Sequence, residues 1–373
     1  IIARKQRPNV TMNDSTDPLA DALTETLPVL LTALEAMEVA QQAFHPARPE
    51  RVITFLEPYF EPLKQAQARL APLSFPVHVE KFGSQLKTAF TYAVRTAENY
   101  QLAATSPESG MRAGRTLSKA RAHLFPLATL LNPIHQFFLE PSLRDQAQIS
   151  ERWQQEPLTS PFVHVENDYD QRGGASIFVP HWLDPDQAAP VVIALHGGTG
   201  HGRDMLWSWV REARSRGFVV IAPTSQDQTW QLHHPEQEMP AILALIEFVA
   251  QNTQIDRSKI MLTGMSDGAT LTLQLGLAQS SPFTHLAPFS GTLDPALVES
   301  GAIAEAQNKS IYLVHGSQDW MFPVEVGKMT HQVLEAFNHH MIYREVEGLG
   351  HAFARSELPR LLPWFSDALM LES

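Results

Sequence analysis

A serine, an aspartate and a histidine stand in this sequence in the settings that nucleophilic chemistry on a carbonyl requires. Gly264-Met265-Ser266-Asp267-Gly268 follows an apolar run and opens a helical stretch, the context in which a Gly-x-Ser-x-Gly pattern presents its hydroxyl at the tip of a sharp turn. Serine also caps helices, so the motif by itself leaves that simpler role open. A serine hydroxyl is a poor nucleophile near neutral pH and needs a histidine base, which in turn needs an acid to fix its tautomer and stabilise its cation. His315-Gly316-Ser317-Gln318-Asp319, anchored by Trp320-Met321-Phe322-Pro323, supplies Asp319 as that acid. Asp294 and Glu347 compete for the role but lie less naturally at the matching loop. Gly348-Leu349-Gly350-His351 supplies the base, its glycines letting a loop swing the imidazole back toward the serine.

A fourth segment, His196-Gly197-Gly198-Thr199-Gly200, follows another apolar run. Its backbone N–H groups suit an oxyanion. Gly198 is the expected donor, with Thr199 as alternative, beside the N–H of Asp267, whose side chain is expected to point away from the developing negative charge. The loop has neither Gly-x-Gly-x-x-Gly nor Gly-Lys-Ser/Thr, which argues against nucleotide binding. His196, His201, His233 and His234 show no metal-ligand spacing, so no metal site is expected. Trp207, Trp230 and Phe322 are candidates for an apolar substrate pocket, although core packing is the commoner fate of an aromatic side chain.

The elements that must position these residues fall into two regions. Only Gly83, Gly110 and Gly114 precede residue 150, and the other sixteen of nineteen glycines follow it. Before that boundary the spacing is helical, as in Leu19, Leu23, Leu27, Leu30, Leu31, Leu34 and Met37, with Asp17-Pro18 as a cap and first-turn pair. Further helices are predicted over roughly 50–71, 80–104 and 112–130. After residue 160, short β-branched and aromatic runs alternate with helical ones. Eight strands are predicted, near Phe162–Glu166, Ala175–Val179, Val191–Leu195, Phe218–Ala222, Ile260–Thr263, His285–Phe289, Ile311–Val314 and Met341–Val346. Helices over Met239–Asn252 and Ala269–Gln279 provide crossovers. The continuously apolar Val191–Leu195 suits a parallel strand covered on both faces. The expected architecture is an α/β domain over 158–373 preceded by a small all-helical domain over 12–157.

Composition narrows the partners. With 40 acidic against 28 basic side chains the formal charge is −12, which repels a phosphate backbone, so nucleic acid is not an expected partner. The chain has no cysteine, which removes disulfides and thiolate chemistry. No apolar stretch approaches the roughly 20 residues of a membrane span. Residues 1–11 lack an apolar segment of the signal-peptide kind, and Met12-Asn13-Asp14-Ser15 reads as a natural start. A cytoplasmic location is therefore expected, with the helical region capping the site, mediating self-association into a homo-oligomer, or bracing the fold.

Together, Leu195-His196-Gly197-Gly198, the approach Ile255-Asp256-Arg257-Ser258-Lys259-Ile260, the serine motif, His315-Gly316-Ser317-Gln318-Asp319 and Gly350-His351 resemble the phospholipase/carboxylesterase branch of the α/β-hydrolases. That branch includes acyl-protein thioesterases and is related to polyhydroxyalkanoate depolymerase-like esterases. The resemblance covers about residues 160–370. It implies an eight-stranded, mostly parallel sheet and a cofactor-free carboxylic-ester hydrolase acting through an acyl-serine. Ser266, Asp319 and His351 are carried over as the triad, in that chain order, and Gly198 and Asp267 as oxyanion donors. The same motifs serve a thioesterase. A peptidase related to prolyl oligopeptidases shares some of them, but its usual propeller needs far more sequence than the helical region offers. A hydrolase-fold binding module without turnover is the alternative from another class.

Overall fold

The structure is a computed structural model, and it describes residues 18–144, 146, 157, 160–306, 309–337 and 339–371. The expected cap Asp17, residues 1–11 and most of the junction between the two regions lie outside the described residues.

Among the described residues, five helices come first: α1 (Pro18–Ala43), α2 (Glu50–Leu70), α3 (Glu80–Leu102), α4 (Pro107–Leu124) and the short α5 (Asn132–Phe137). Helix α4 begins at Pro107, earlier than the apolar spacing alone predicts, because proline is well placed in a first turn where its missing N–H has no helical partner to lose. The apolar stripe of α1 is buried from Leu27 through Leu30, Leu34 and Met37 to Ala40, as its three-and-four spacing requires.

Eight strands then build one sheet: β1 (Phe162–Val165), β2 (Ala175–Phe178), β3 (Ala189–Leu195), β4 (Val219–Pro223), β5 (Ile255–Met265), β6 (His285–Phe289), β7 (Ser310–Gly316) and β8 (His340–Val346). Their order is β1-β2-β4-β3-β5-β6-β7-β8. Strand β2 runs antiparallel to β1 and β4, and the remaining neighbours are parallel. Strand β5 starts five residues before the predicted Ile260, because Ile255 pairs with Ala189 ahead of an irregularity in the register. Between and after the strands lie α6 (Gly202–Leu206), α7 (Val210–Arg216), α8 (Met239–Ala250), α9 (Asp267–Gly276), α10 (Pro295–Glu299), α11 (Ala302–Glu305), α12 (Val324–Ala336) and α13 (Leu358–Phe365). Among the described residues no helix is long and apolar enough to cross a membrane.

Successive strand side chains point to opposite faces, and β3 shows what each face meets. Val191, Ile193 and Leu195 join a core with Ile242 and Ile246 of α8 and Leu271 and Leu275 of α9. Val192 and Ala194 join the opposite core, which runs without a break from Trp209 and Phe365 into the side chains of α1 to α5. The helices of the N-terminal region therefore cover one face of the sheet and share its core. Trp209, fully buried, sits near the centre of that shared core, its ring 6.4 Å from Phe218 and 5.3 Å from Phe353. Trp209→Ala should destabilise by about 3–5 kcal/mol and lower one cooperative transition in calorimetry. Two transitions, only one of them displaced by the substitution, would contradict a continuous core.

Candidate active site

The chain runs from β3 out to β4 and then returns to the other side of β3 to form β5. At such a reversal of strand order the loops leaving the carboxyl ends diverge and open a crevice, the usual ligand position of open α/β sheets. Ser266 stands there, between β5 and α9, with φ 57° and ψ −122°. That left-handed φ is unusual for a residue with a side chain and is held from both sides. The Ser266 N–H donates to Phe289 O at 3.0 Å, and its carbonyl accepts from Ala269 at 2.8 Å and Thr270 at 3.0 Å. Gly268 permits the close approach of α9: a Cβ there would stand 2.5 Å from His196 O and 2.6 Å from Leu195 O.

His351, on the loop after β8, brings Nε2 to 2.9 Å from Ser266 Oγ, while its Nδ1 lies 3.0 and 2.9 Å from the two carboxylate oxygens of Asp319. Asp319 is on the loop after β7, where its Oδ1 also accepts from the N–H groups of Met321 at 2.9 Å and Phe322 at 2.8 Å. Burial works to raise the Asp319 carboxyl, but the hydrogen bond and charge of His351, with those two N–H groups, outweigh it and hold the group below its ordinary value. The competing acids have other roles or positions: Asp294 caps α10 through Ala296 N–H, and the imidazole hydrogen bond goes to Asp319.

Across the crevice, His196-Gly197-Gly198-Thr199-Gly200 leaves β3. His196 is buried, which drives its imidazole down to about 3, so it is neutral. Its Nε2 accepts from Ser225 N–H at 3.0 Å, which leaves the proton on Nδ1 to donate to Gly197 O at 2.7 Å. The Thr199 N–H donates to Gln228 O at 2.7 Å, so Gly198 is the better placed of the two expected donors. The Asp267 carboxylate accepts from the Thr229 hydroxyl and lies 2.8 Å from where a Cβ on Gly198 would stand. The carboxylate, expected to point away, instead stands beside the expected donor Gly198, where the Thr229 hydroxyl holds it. With backbone N–H groups expected at Gly198 and Asp267, a hydroxyl on a strained turn and an imidazole within hydrogen-bond reach of it, the arrangement suits attack on a carbonyl.

The three candidate pocket aromatics separate. The Phe322 ring is 5.4 Å from the His351 ring, and Trp320 is 5.5 Å from it. Trp230 instead braces the glycine loop: it stacks 4.6 Å from His196 and donates Nε1–H to His196 O at 2.7 Å. Trp207 stands in an aromatic cluster, 5.1 Å from Phe162 and 5.9 Å from Phe125. It lines a cavity of about 370 Å³ whose walls include none of the residues around Ser266. Both tryptophans thus differ from expectation, because their indoles find packing and hydrogen-bond partners in layers that local spacing does not reveal. His201 caps α6 by accepting from Arg203 N–H at 3.1 Å, and His233 and His234 are exposed. Among the described residues no three His, Cys, Asp or Glu side chains are grouped to hold a metal.

Other residues that shape the site carry no sequence signal. Arg172, from the loop before β2, donates to Gly200 O at 2.7 Å and Asp227 O at 2.9 Å. Arg115 of α4 reaches Thr199 O at 3.3 Å. Since the folded-state value of Asp319 is depressed, the stability it contributes is present above the ordinary carboxylate value of about 3.9 and is lost as pH falls through the folded value. Urea denaturation of wild type and Asp319→Asn should therefore differ most at neutral pH and converge as the pH falls below the ordinary carboxylate value; a constant difference would show that the carboxylate is not held in this way.

Residues 219–366, which contain Ser266, Asp319 and His351, match the model of the phospholipase/carboxylesterase family. Feruloyl esterase B of Talaromyces funiculosus is 24% identical over 187 residues, 46% of this chain and 52% of the relative. The chain thus spans about half the length of that curated relative. Among solved structures, a thermostable esterase is 22% identical, with 50% of this chain and 54% of that chain covered at a TM-score of 0.42. Zea mays acyl-protein thioesterase 2 is 14% identical, with 52% of this chain and 98% of that chain covered at a TM-score of 0.41. By its strand order and the turn at Ser266, the chain carries the α/β-hydrolase fold, and its residues 219–366 are similar to the phospholipase/carboxylesterase family.

Proposed function

We propose that this protein is a serine carboxylesterase that cleaves its substrate through an acyl-serine. The observation that carries the reading is the unbroken hydrogen-bond chain from Ser266 Oγ through His351 to Asp319, ending on a serine at a strained strand-to-helix turn. In the first half-reaction His351 Nε2 takes the Ser266 proton as Oγ attacks the ester carbonyl. The oxyanion is received by the N–H groups of Gly198 and Asp267, and His351 then protonates the leaving alcohol. In the second half-reaction water, deprotonated by the same imidazole, attacks the acyl-serine, and Ser266 leaves with its proton restored.

Asp319 holds the ring through Nδ1 and stabilises the imidazolium. Its own fixation by Met321 and Phe322 N–H groups keeps it ionised and oriented for that task. The family match, which spans these three residues, and the feruloyl esterase relative support an ester as the substrate. Phe322 and Trp320, beside His351, offer an apolar wall for one side of it.

Intact-mass labelling with a fluorophosphonate, beside hydrolysis of a p-nitrophenyl ester series, tests the reading. Wild type should take one adduct and turn the esters over. Ser266→Ala should take none and lose about 10⁴-fold or more in kcat. A folded wild type with neither adduct nor turnover would favour a binding module instead.

A further inference from the structure

The loop that carries His351 is held near β8 by the loop after β7 and beyond that by the N-terminal helices. Near β8, Gly348 N–H donates to Ser317 Oγ at 2.9 Å, and Leu349 O accepts from Gln318 N–H at 2.9 Å. Gly350, directly before His351, points its N–H the other way and donates to the carbonyl of Gln42 in the last turn of α1 at 2.9 Å. The contact is close: a Cβ on Gly350 would stand 2.5 Å from the carbonyl oxygen of Phe44.

Beyond His351, the half-buried Arg355 places Nη1 2.8 Å from Glu38 Oε2. Glu38 lies four residues before Gln42, hence on the same face of α1. It also pairs with Arg121 of α4 at 2.8 Å and Arg211 of α7 at 2.9 Å. Burial works to raise its carboxyl, but the three guanidiniums outweigh this and hold it far below the carboxylate range, so it is a fixed anion. After α1, Arg48 donates to Gln318 Oε1 at 2.9 Å, next to Asp319.

We propose that α1 is a positioning element of the active site, with the Gln42 carbonyl and the Glu38 carboxylate acting through Gly350 and Arg355 to set where the His351 ring stands. The proposal rests on the catalytic reading of Ser266, His351 and Asp319. Its physical content is angular: a loop pinned on both sides of one residue leaves that residue's ring little freedom, and a displacement of about 1 Å in a reacting group can cost about 10²-fold in rate. Glu38 and Gln42 touch no reacting atom. Their effect is on the rate of the chemical step and not on substrate affinity.

The test uses the full chain and a short p-nitrophenyl ester. Arg355→Met removes the link to Glu38, which keeps Arg121 and Arg211, together with a 3.6 Å pair to Glu212 of α7, and Gly350→Ala forces the loop away from Phe44. In folded protein both should lower kcat and the rate of fluorophosphonate labelling by about 10- to 100-fold, with KM within about twofold of wild type, and Arg355→Lys should recover most of the loss. Hydrogen exchange on the wild type needs no variant, and the Gly350 amide should exchange as slowly as the amides of α1. Wild-type kcat in the folded variants, or exchange of Gly350 at the rate of an exposed loop, would overturn the positioning role alone. Absence of Ser266-dependent turnover in the wild type would overturn the catalytic reading and this proposal with it.

Discussion

The close approach of α9 to the ends of β3 and β5 is the constraint on which the candidate site depends. Because Gly268 has no side chain, the helix can begin directly over His196 and Leu195, and the chain must turn sharply at Ser266 to enter it. The turn stores backbone strain. It persists because Ser266 is tied to β6 through Phe289 O and to the first turn of α9 through its own carbonyl. The same approach brings Asp267, the residue after the nucleophile, against Gly198 of the loop leaving β3.

Around that turn the charges are few and each is fixed. His196 is kept neutral by burial and is locked between Ser225 and Gly197. The Asp267 carboxylate is taken up by Thr229, and that of Asp319 by His351 and two backbone N–H groups. Such groups do not need to reorient as charge develops, which is the condition under which polar groups stabilise a transition state well. The N-terminal helices contribute to the same rigidity from outside the crevice, through Arg115 at the glycine loop and Gln42 and Glu38 at the histidine loop.

Much of the fold is legible from side-chain pattern because burial on two faces leaves a strand almost no polar positions. Val191 to Leu195 is apolar throughout for that reason, and it lies in the middle of the sheet. The ends are less legible. The start of β5 at Ile255 depends on a partner at Ala189, sixty-odd residues away, and on a register irregularity that nothing within the polar run Asp256–Lys259 announces. Trp207 and Trp230 illustrate the same limit at the site. An indole suits a pocket wall, a core or a brace equally well, and only the neighbours that arrive from other segments choose among them.

The local chemistry of the sequence determined the candidate reactive groups: a serine between glycines after an apolar run, a histidine behind flexible residues, an aspartate after another strand, and a glycine loop after a third. Those are short-range properties, set by which backbone conformations a few residues allow. Tertiary structure decided which of them meet. The choice of Asp319, the occupation of the Thr199 N–H by Gln228 and the hold of α1 on the His351 loop all depend on contacts between segments far apart in the chain. An ion pair such as Glu38 with Arg355 leaves no spacing rule behind, because either partner could sit on any element that the packing brings to the same buried point.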